Sequence, residues 1–308
     1  MIETSSPILI IGTGAMACLF AARFSAAGTP VVMTGSWQAG LNALNEFGVR
    51  LVHPDGREQA YPVKVMHSVD ECYQPQYALV LVKSWQTEAA AQRLAGCLAE
   101  NGLALSLQNG LGNREALAQV LGAPRVALGM TTSGATLLGP GRVLPAGEGP
   151  VVLDGTPQVA DLGSLLHRAG FQVDFVNDTN SLLWGKLVIN AAINPLTAVL
   201  RVPNGELLAH TEARAIMATL ASEAAAVAHA LQIELPYPDP VVAAEAIAQR
   251  TAMNRSSMLQ DVLRGARTEI DAICGEIVRL GERTGVPVPV NRVFWQLVKA
   301  LEAKPDHS

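Results

Sequence analysis

Short apolar runs alternate with helix-period segments along the first half of the chain. Pro7–Ile11 and Pro30–Thr34 read as strands around a helix over Ala15–Ala27, and Trp37–Phe47 reads as another helix. Ala78–Val82 (ALVLV) and Leu103–Leu107 (LALSL) are nearly continuous apolar runs, the pattern of strands buried on both faces of a parallel sheet. Helical segments follow them at Gln86–Ala99 and Leu111–Leu121. Further strands are predicted at Val126–Thr131, Val151–Asp154 and Phe171–Val176, with a helix over Ala160–Ala169. This alternation predicts an α/β domain with crossover helices.

The pattern changes near Val176. Ser181–Ile193, Glu206–Leu231, Pro240–Thr251, Ser257–Arg283 and Val290–Leu301 all read as helices, separated by turn clusters such as Asn194-Pro195, Pro203-Asn204-Gly205 and Pro236-Tyr237-Pro238. From Ser257 the apolar residues Leu259, Val262, Leu263, Ala266, Ile270, Ile273, Ile277 and Leu280 form one stripe, predicting a single long helix. The expected division is an N-terminal α/β domain over 1–177 and an all-α domain over 178–308.

Composition narrows the function classes. The 308 residues are 49% hydrophobic and 16% charged, with a net charge of −5, which excludes a disordered chain. With no basic run, sequence-independent nucleic-acid binding is not expected. Pro7–Ala22 is apolar, but only Glu3 precedes it among charged residues, so the cationic start of a signal peptide is missing. Elsewhere no uncharged apolar run reaches the roughly 20 residues of a spanning helix. Cys18, Cys72, Cys97 and Cys274 are scattered without a CxxC and read as reduced core residues rather than disulfides or zinc ligands. A soluble, cytoplasmic protein with no metal site is expected.

Between the first strand and helix stands Gly12-Thr13-Gly14-Ala15-Met16-Ala17, a GxGxxA turn. Its first glycine suits the tight turn, its second lets a pyrophosphate approach the backbone, and the small third residue lets helix and strand pack closely. The helix N-terminus adds unpaired N–H groups and partial positive charge. The second strand ends in Met33-Thr34-Gly35-Ser36-Trp37-Gln38, with no acid to repel a 2′-phosphate and no arginine to bind one, so the lean is towards NADP. Thr34, Ser36 and Gln38 offer hydrogen bonds there, or are ordinary turn residues. Two later strand ends carry Lys83-Ser84-Trp85-Gln86 and Gln108-Asn109-Gly110 and are expected at the same crevice.

In the helical half, Lys186, Asn190 and Asn194 recur every four residues on one helix face, while Leu187–Ile193 is otherwise apolar. A lysine in such a helix is costly to bury, and burial lowers its pKa towards the range useful for proton donation. Glu269 falls at the flank of the long stripe, beside Ala266 and Ile273 at 100° per residue. Ser257 with Gln260 three residues on has capping-box spacing, so Ser257 reads as a helix N-cap that also suits a substrate carboxylate.

Together GTGAMA, LVKSWQ, QNGLGN, KLVINAAINPLTAV, PNGEL and NRSSMLQDVLRGARTEID resemble the ketopantoate reductase (2-dehydropantoate 2-reductase) family along nearly the whole chain. The resemblance implies a Rossmann domain and a helical domain enclosing NADPH and a 2-oxo acid, as in pantothenate and coenzyme A biosynthesis. It implies Lys186 as general acid and Glu269 as the catalytic glutamate, which also lies near the cofactor. Substrate contacts fall on Asn109, Asn190, Asn194, Asn204, Asn254 and Ser257. Cofactor contacts fall on the Gly12–Ala17 turn, Ser36, Lys83, Gln86 and Asn109. Ala17 stands for a third glycine, and Ser36 where some members carry an arginine. A monomer or homodimer is expected. A reductase of another branched 2-oxo acid, or a nicotinamide-nucleotide sensor without turnover, are the alternatives.

Overall fold

Alternate residues of the first strand, β1 (Ile8–Ile11), enter different cores. Ile8 and Ile10 pack with Phe20, Phe24 and Phe171, whereas Leu9 and Ile11 pack with Ala91, Leu94 and Leu117. A strand covered on both faces needs apolar residues throughout, which accounts for the sequence ILII. The structure, a computed structural model, describes residues 6–68 and 71–302, so Glu3 lies outside it. Two compact units emerge among the described residues. One comprises residues up to Gln108 together with Gly112–Thr179, and the other Asn109–Leu111 together with residues from Asn180 onward.

The first unit runs β1, α1 (Ala15–Ala26), β2 (Val31–Thr34), α2 (Gln38–Phe47), β3 (Val49–Val52), β4 (Glu58–Tyr61), β5 (Lys64–Val65) and β6 (Tyr77–Val80). It continues with α3 (Thr87–Ala95), β7 (Leu103–Ser106), α4 (Asn113–Leu121), β8 (Val126–Thr131), β9 (Gly134–Gly139), β10 (Arg142–Gly147), β11 (Val151–Asp154), α5 (Ala160–Arg168) and β12 (Val173–Val176). Eight strands form one sheet in the order β12-β11-β8-β7-β6-β1-β2-β5, parallel except where β11 meets β8. Ile11 is level with Thr34 on one side and Val80 on the other, and Val80 with Ser106. The carboxyl ends of β2, β1, β6 and β7 therefore form one edge.

A second sheet, β4-β3-β10-β9, was not foreseen from the sequence. Its strands offer little apolar alternation: EQAY is largely exposed, and GATLLG and RVLPAG carry glycine and proline. Helix α1 packs against this sheet and against the large one, and residues from Ala17 to Ala22 and Phe24 are buried. Contact on both sides explains a helix with almost no polar face.

The second unit holds α6 (Thr179–Leu200), α7 (Glu206–Ala209), α8 (Thr211–Ala230), α9 (Pro240–Arg250), α10 (Ser257–Leu263), α11 (Glu276–Thr284) and α12 (Pro289–Glu302). Helix α6 is long and apolar enough to cross a membrane by length and composition, yet 67% of its most apolar window is buried inside the protein. Trp184, Leu187, Val188, Ala191 and Ile193 join one core with Leu220, Ala224 and Ile273.

Several predicted boundaries are corrected here. Helix α6 runs through Asn194-Pro195 instead of turning there. Proline removes one intrahelical donor, but Asn194–Ala198 is entirely buried, and tertiary packing outweighs the local preference. The predicted helix Glu206–Leu231 breaks at His210, whose backbone is extended. The predicted long helix from Ser257 breaks twice. Helix α10 ends at Arg264-Gly265, where Gly265 has φ +64°, and a π-helical turn over Asp271–Gly275 precedes α11. The apolar stripe survives because each piece buries its own part of it. Cys72 and Cys97, read as reduced, form a disulfide: the fold brings their Cα atoms within 5.4 Å across a separation of 25 residues, which spacing in sequence does not report. Cys18 and Cys274 are free and buried, and burial raises both thiol pKa values.

Candidate active site

In the first unit the GxGxxA turn follows β1 at the common strand edge. Gly12 has φ +136°, and a Cβ there would stand 2.9 Å from the Leu81 carbonyl oxygen, so both conformation and space demand glycine. A Cβ on Gly14 would meet nothing within 4 Å. Helix α1 begins with no side-chain cap and no acidic residue in its first turn, so its first backbone N–H groups and positive dipole end are not neutralised by its own side chains. The turn Gly12–Ala17 thus fits a dinucleotide pyrophosphate.

The neighbouring strand ends supply polar groups. Gln86 Nε2 donates to Ser36 Oγ at 2.9 Å, joining two of the predicted cofactor residues. Lys83 is half-buried just before the short 3-10 turn Ser84–Gln86. Sequence reasoning missed Gln108, a buried brace whose Nε2 donates to the Val82 carbonyl at 3.0 Å and to Thr87 Oγ1 at 2.8 Å. It also missed Arg93, whose guanidinium reaches Thr34 and Gly35 at the end of β2.

In the second unit Lys186 and Glu269 share one electrostatic environment. Burial lowers the Lys186 pKa from the ordinary 10.5 to about 8, and the Glu269 carboxylate opposes that fall. Asn109 Nδ2 donates to Glu269 Oε2 at 3.3 Å. Along α6, Asn190 is half-buried and Asn194 buried.

Glu269 does not lie on a helix flank as the periodicity implied. It sits in the break before the π-helical turn, 6% exposed. Its neighbour Thr268 is clamped, backbone N–H and hydroxyl both donating to Glu302 Oε1 at 2.7 and 2.6 Å. On the other side Asp271 accepts from Trp295 Nε1 at 2.8 Å and Lys299 Nζ at 3.0 Å. The Asn109 loop docks on the same turn, with the Leu111 N–H donating to the Ala272 carbonyl at 3.2 Å.

The remaining predicted residues form a second group. The Asn204 N–H donates to the Asn254 carbonyl at 3.0 Å, and Asn204 Nδ2 to Thr251 Oγ1 at 2.9 Å. Asn204 Oδ1 is buried with no hydrogen-bond partner among the described residues. Asn254 is exposed. Ser257 is not the N-cap of α10: Ser256 is, its Oγ accepting from the Leu259 N–H at 3.0 Å, while Ser257 is exposed. Capping-box spacing pointed one residue too far because the Gln260 side chain instead donates to the Arg255 carbonyl at 3.0 Å. Ser256 Oγ also lies 2.7 Å from Thr197 Oγ1, which donates to the Asn194 carbonyl at 2.9 Å. That link ties α10 to the end of the Lys186 helix. Among the described residues no cluster of three or more His, Cys, Asp or Glu side chains is able to hold a metal.

Known proteins resemble this chain along nearly its whole length. The family model described as "Ketopantoate reductase PanE/ApbA" matches residues 8–158, and the model of its C-terminal part matches residues 178–302. The chain belongs to the ketopantoate reductase family. Curated relatives include the 2-dehydropantoate 2-reductases of Archaeoglobus fulgidus, 36% identical with 96% of this chain and 98% of that one covered, and of Vibrio cholerae, 32% identical with 96% and 97% covered. A PanE/ApbA family ketopantoate reductase from Ralstonia eutropha superposes with a TM-score of 0.89 at 33% identity, covering 96% of this chain and 98% of that one. A ternary structure of D-mandelate dehydrogenase with NADH and anilino(oxo)acetate superposes with a TM-score of 0.90 at 26% identity and the same coverage. The family is one of oxidoreductases, and the mandelate dehydrogenase complex holds a nicotinamide nucleotide.

Proposed function

We propose that this protein reduces 2-dehydropantoate (ketopantoate) to (R)-pantoate with NADPH, Lys186 acting as general acid. Lys186 carries the reading: the one charged residue of α6, its pKa lowered to about 8 by burial and held up by Glu269. An acid of that strength is protonated near neutral pH and still releases its proton readily. When bound, a nicotinamide nucleotide would supply the hydride for the 2-keto carbon. The carbonyl oxygen then gains negative charge, which the Lys186 ammonium meets and neutralises by donating a proton, leaving a hydroxyl group.

Glu269 favours the charged form of Lys186 and accepts from Asn109, so it orients both the acid and an amide able to contact substrate. Asn190 and Asn194 line the same helix face. The buried Asn204 Oδ1, lacking a partner among the described residues, suits acceptance of a hydrogen bond from a substrate hydroxyl. Ser257 and Asn254 are exposed and available to the substrate carboxylate. The Gly12–Ala17 turn with Ser36, Lys83 and Gln86 would hold the cofactor.

A second reading, a reductase of another bulky 2-oxo acid, draws support from the likeness to D-mandelate dehydrogenase. Initial rates on a panel of 2-oxo acids with NADPH and NADH test both. The highest kcat/KM on ketopantoate with NADPH is expected. An aromatic 2-oxo acid ranking first would replace the substrate, and nucleotide binding without turnover of any 2-oxo acid would make the protein a sensor.

A further inference from the structure

The end of β2 carries neither acid nor arginine in its own sequence, yet a guanidinium reaches it from another element. Arg93 lies near the end of α3, 59 residues beyond Thr34, and its Nη1 donates to Thr34 Oγ1 and, at 3.4 Å, to the Gly35 carbonyl. Thr34 is the last residue of β2, level with Ile11 just before the GxGxxA turn. In a sheet of this type the residues after the second strand meet the adenosine ribose, where a 2′-phosphate distinguishes NADP from NAD.

The surroundings suit a phosphate. Gly35-Ser36-Trp37-Gln38 contains no carboxylate, and Ser36 Oγ and Gln86 Nε2 form a hydrogen-bonding pair beside the strand end. Trp37 is 39% exposed and gives the same rim an aromatic surface. Arg93 is half-buried and already held by Thr34, so ordering it for a ligand costs little further side-chain freedom. Its remaining N–H groups retain the fork that pairs with phosphate oxygens.

We propose that Arg93 binds the 2′-phosphate of NADPH and sets the cofactor preference, taking the role that an arginine directly after β2 would otherwise fill. The proposal rests on the NADPH reading above. Arg93→Gln loses the charge and shortens the side chain by two atoms, so binding of the unphosphorylated ligand is the control that separates phosphate binding from support of the strand end. The measurement is calorimetric binding of 2′-phospho-ADP-ribose and of ADP-ribose, with KM for NADPH and NADH alongside.

In Arg93→Gln, affinity for 2′-phospho-ADP-ribose is expected to fall about 10- to 100-fold, the loss of a charged hydrogen-bonding partner, with ADP-ribose binding unchanged. Equal weakening of both ligands would make Arg93 a structural brace and overturn the proposal. Wild-type protein that prefers the 2′-phosphorylated ligand, with that preference intact in Arg93→Gln, would overturn the Arg93 assignment while sparing the NADPH reading. Wild-type protein that binds both ligands equally would overturn the two together. If Arg93→Gln fails to fold, Arg93→Lys serves: it is expected to lose about tenfold of the discrimination with the fork geometry, and an unchanged ratio overturns the proposal.

Discussion

The two units carry their polar residues in different ways. In the first, polar groups gather where regular structure ends: the Gly12–Ala17 turn, Ser36 and Lys83 follow β1, β2 and β6, whose ends are level in the sheet. In the second, Lys186 and Asn190 project from the unbroken part of α6, while other polar residues sit at faults within helical segments. Glu269 lies in the gap between α10 and the π-helical turn, and Asn194 precedes a proline in mid-helix. A parallel sheet aligns its strand ends without further help, so the site needs only suitable loops. A helical bundle offers no such edge: side chains such as Lys186 come from a regular helix face, and an interruption like the one at Glu269 brings in loop residues as well. Each fault is then braced, by Glu302 and Lys299 around Glu269 and by Thr197 and Ser256 beyond Asn194.

The largest expected effect falls on the helical unit. Lys186→Ala should lower kcat by about 10²- to 10⁴-fold, the usual worth of a general acid, while leaving nucleotide affinity unchanged. Single-turnover rates and nucleotide titration check the two halves of that statement. If wild-type kcat survives, the acid is not Lys186.

Next comes the loop seated on the π-helical turn. Gly110 has φ +81°, and a Cβ there would lie 2.5 Å from the Ala272 carbonyl oxygen. Gly110→Ala must displace the loop bearing Asn109, and a shift of an ångström near reacting groups is worth about 10²-fold. Steady-state kinetics should show that loss in kcat with the fold retained by circular dichroism. Unaltered kcat would mean that Asn109 need not be held where it is.

A smaller effect separates the partners electrostatically. With Lys186 acting as an acid of pKa about 8, activity should fall as pH rises through that value. Glu269 favours the charged lysine, so Glu269→Gln should move the falling limb of the kcat profile to lower pH. A limb that stays put would uncouple the two groups. The same shift acts on stability. The folded-state value lies below the ordinary 10.5, so between about 8 and 10.5 the unfolded chain holds this proton more often, and stability contributed by Lys186 rises with pH there.

The smallest effect contrasts two adjacent serines. Ser256→Ala removes an N-cap and should cost about 1 kcal/mol, seen as a lower Tm, while Ser257→Ala should stay within about 0.5 kcal/mol. The reverse order would restore Ser257 as the cap.

The same contrast governs what was legible in the sequence. Strands such as ILII, ALVLV and LALSL announce a buried parallel sheet because they have no polar face, and the turn between β1 and α1 follows from glycine spacing. Lys186 stood out because its helix is otherwise apolar. The small sheet stayed hidden, since half-exposed strands such as EQAY carry no period-two apolar pattern. The break around Glu269 was masked by a stripe that continues through Ile270, Ile273 and Ile277, all buried in one core. Periodicity reports which residues face a core and not whether the backbone between them is continuous. Arg93 and the Cys72–Cys97 pair were invisible because their meaning depends on contacts between residues distant in sequence.

Two glycines two positions apart answer to different masters. Gly12 is required by the Leu81 carbonyl, a part of the chain itself, whether or not a ligand is present; Gly14 borders open space, and under the proposed function only the nucleotide would require it. In a deep mutational scan read twice, once by abundance and once by turnover, substitutions at Gly12 should fail both readings and those at Gly14 only the second. One turn thereby records two separate selections, for a chain that folds and for a chain that is useful.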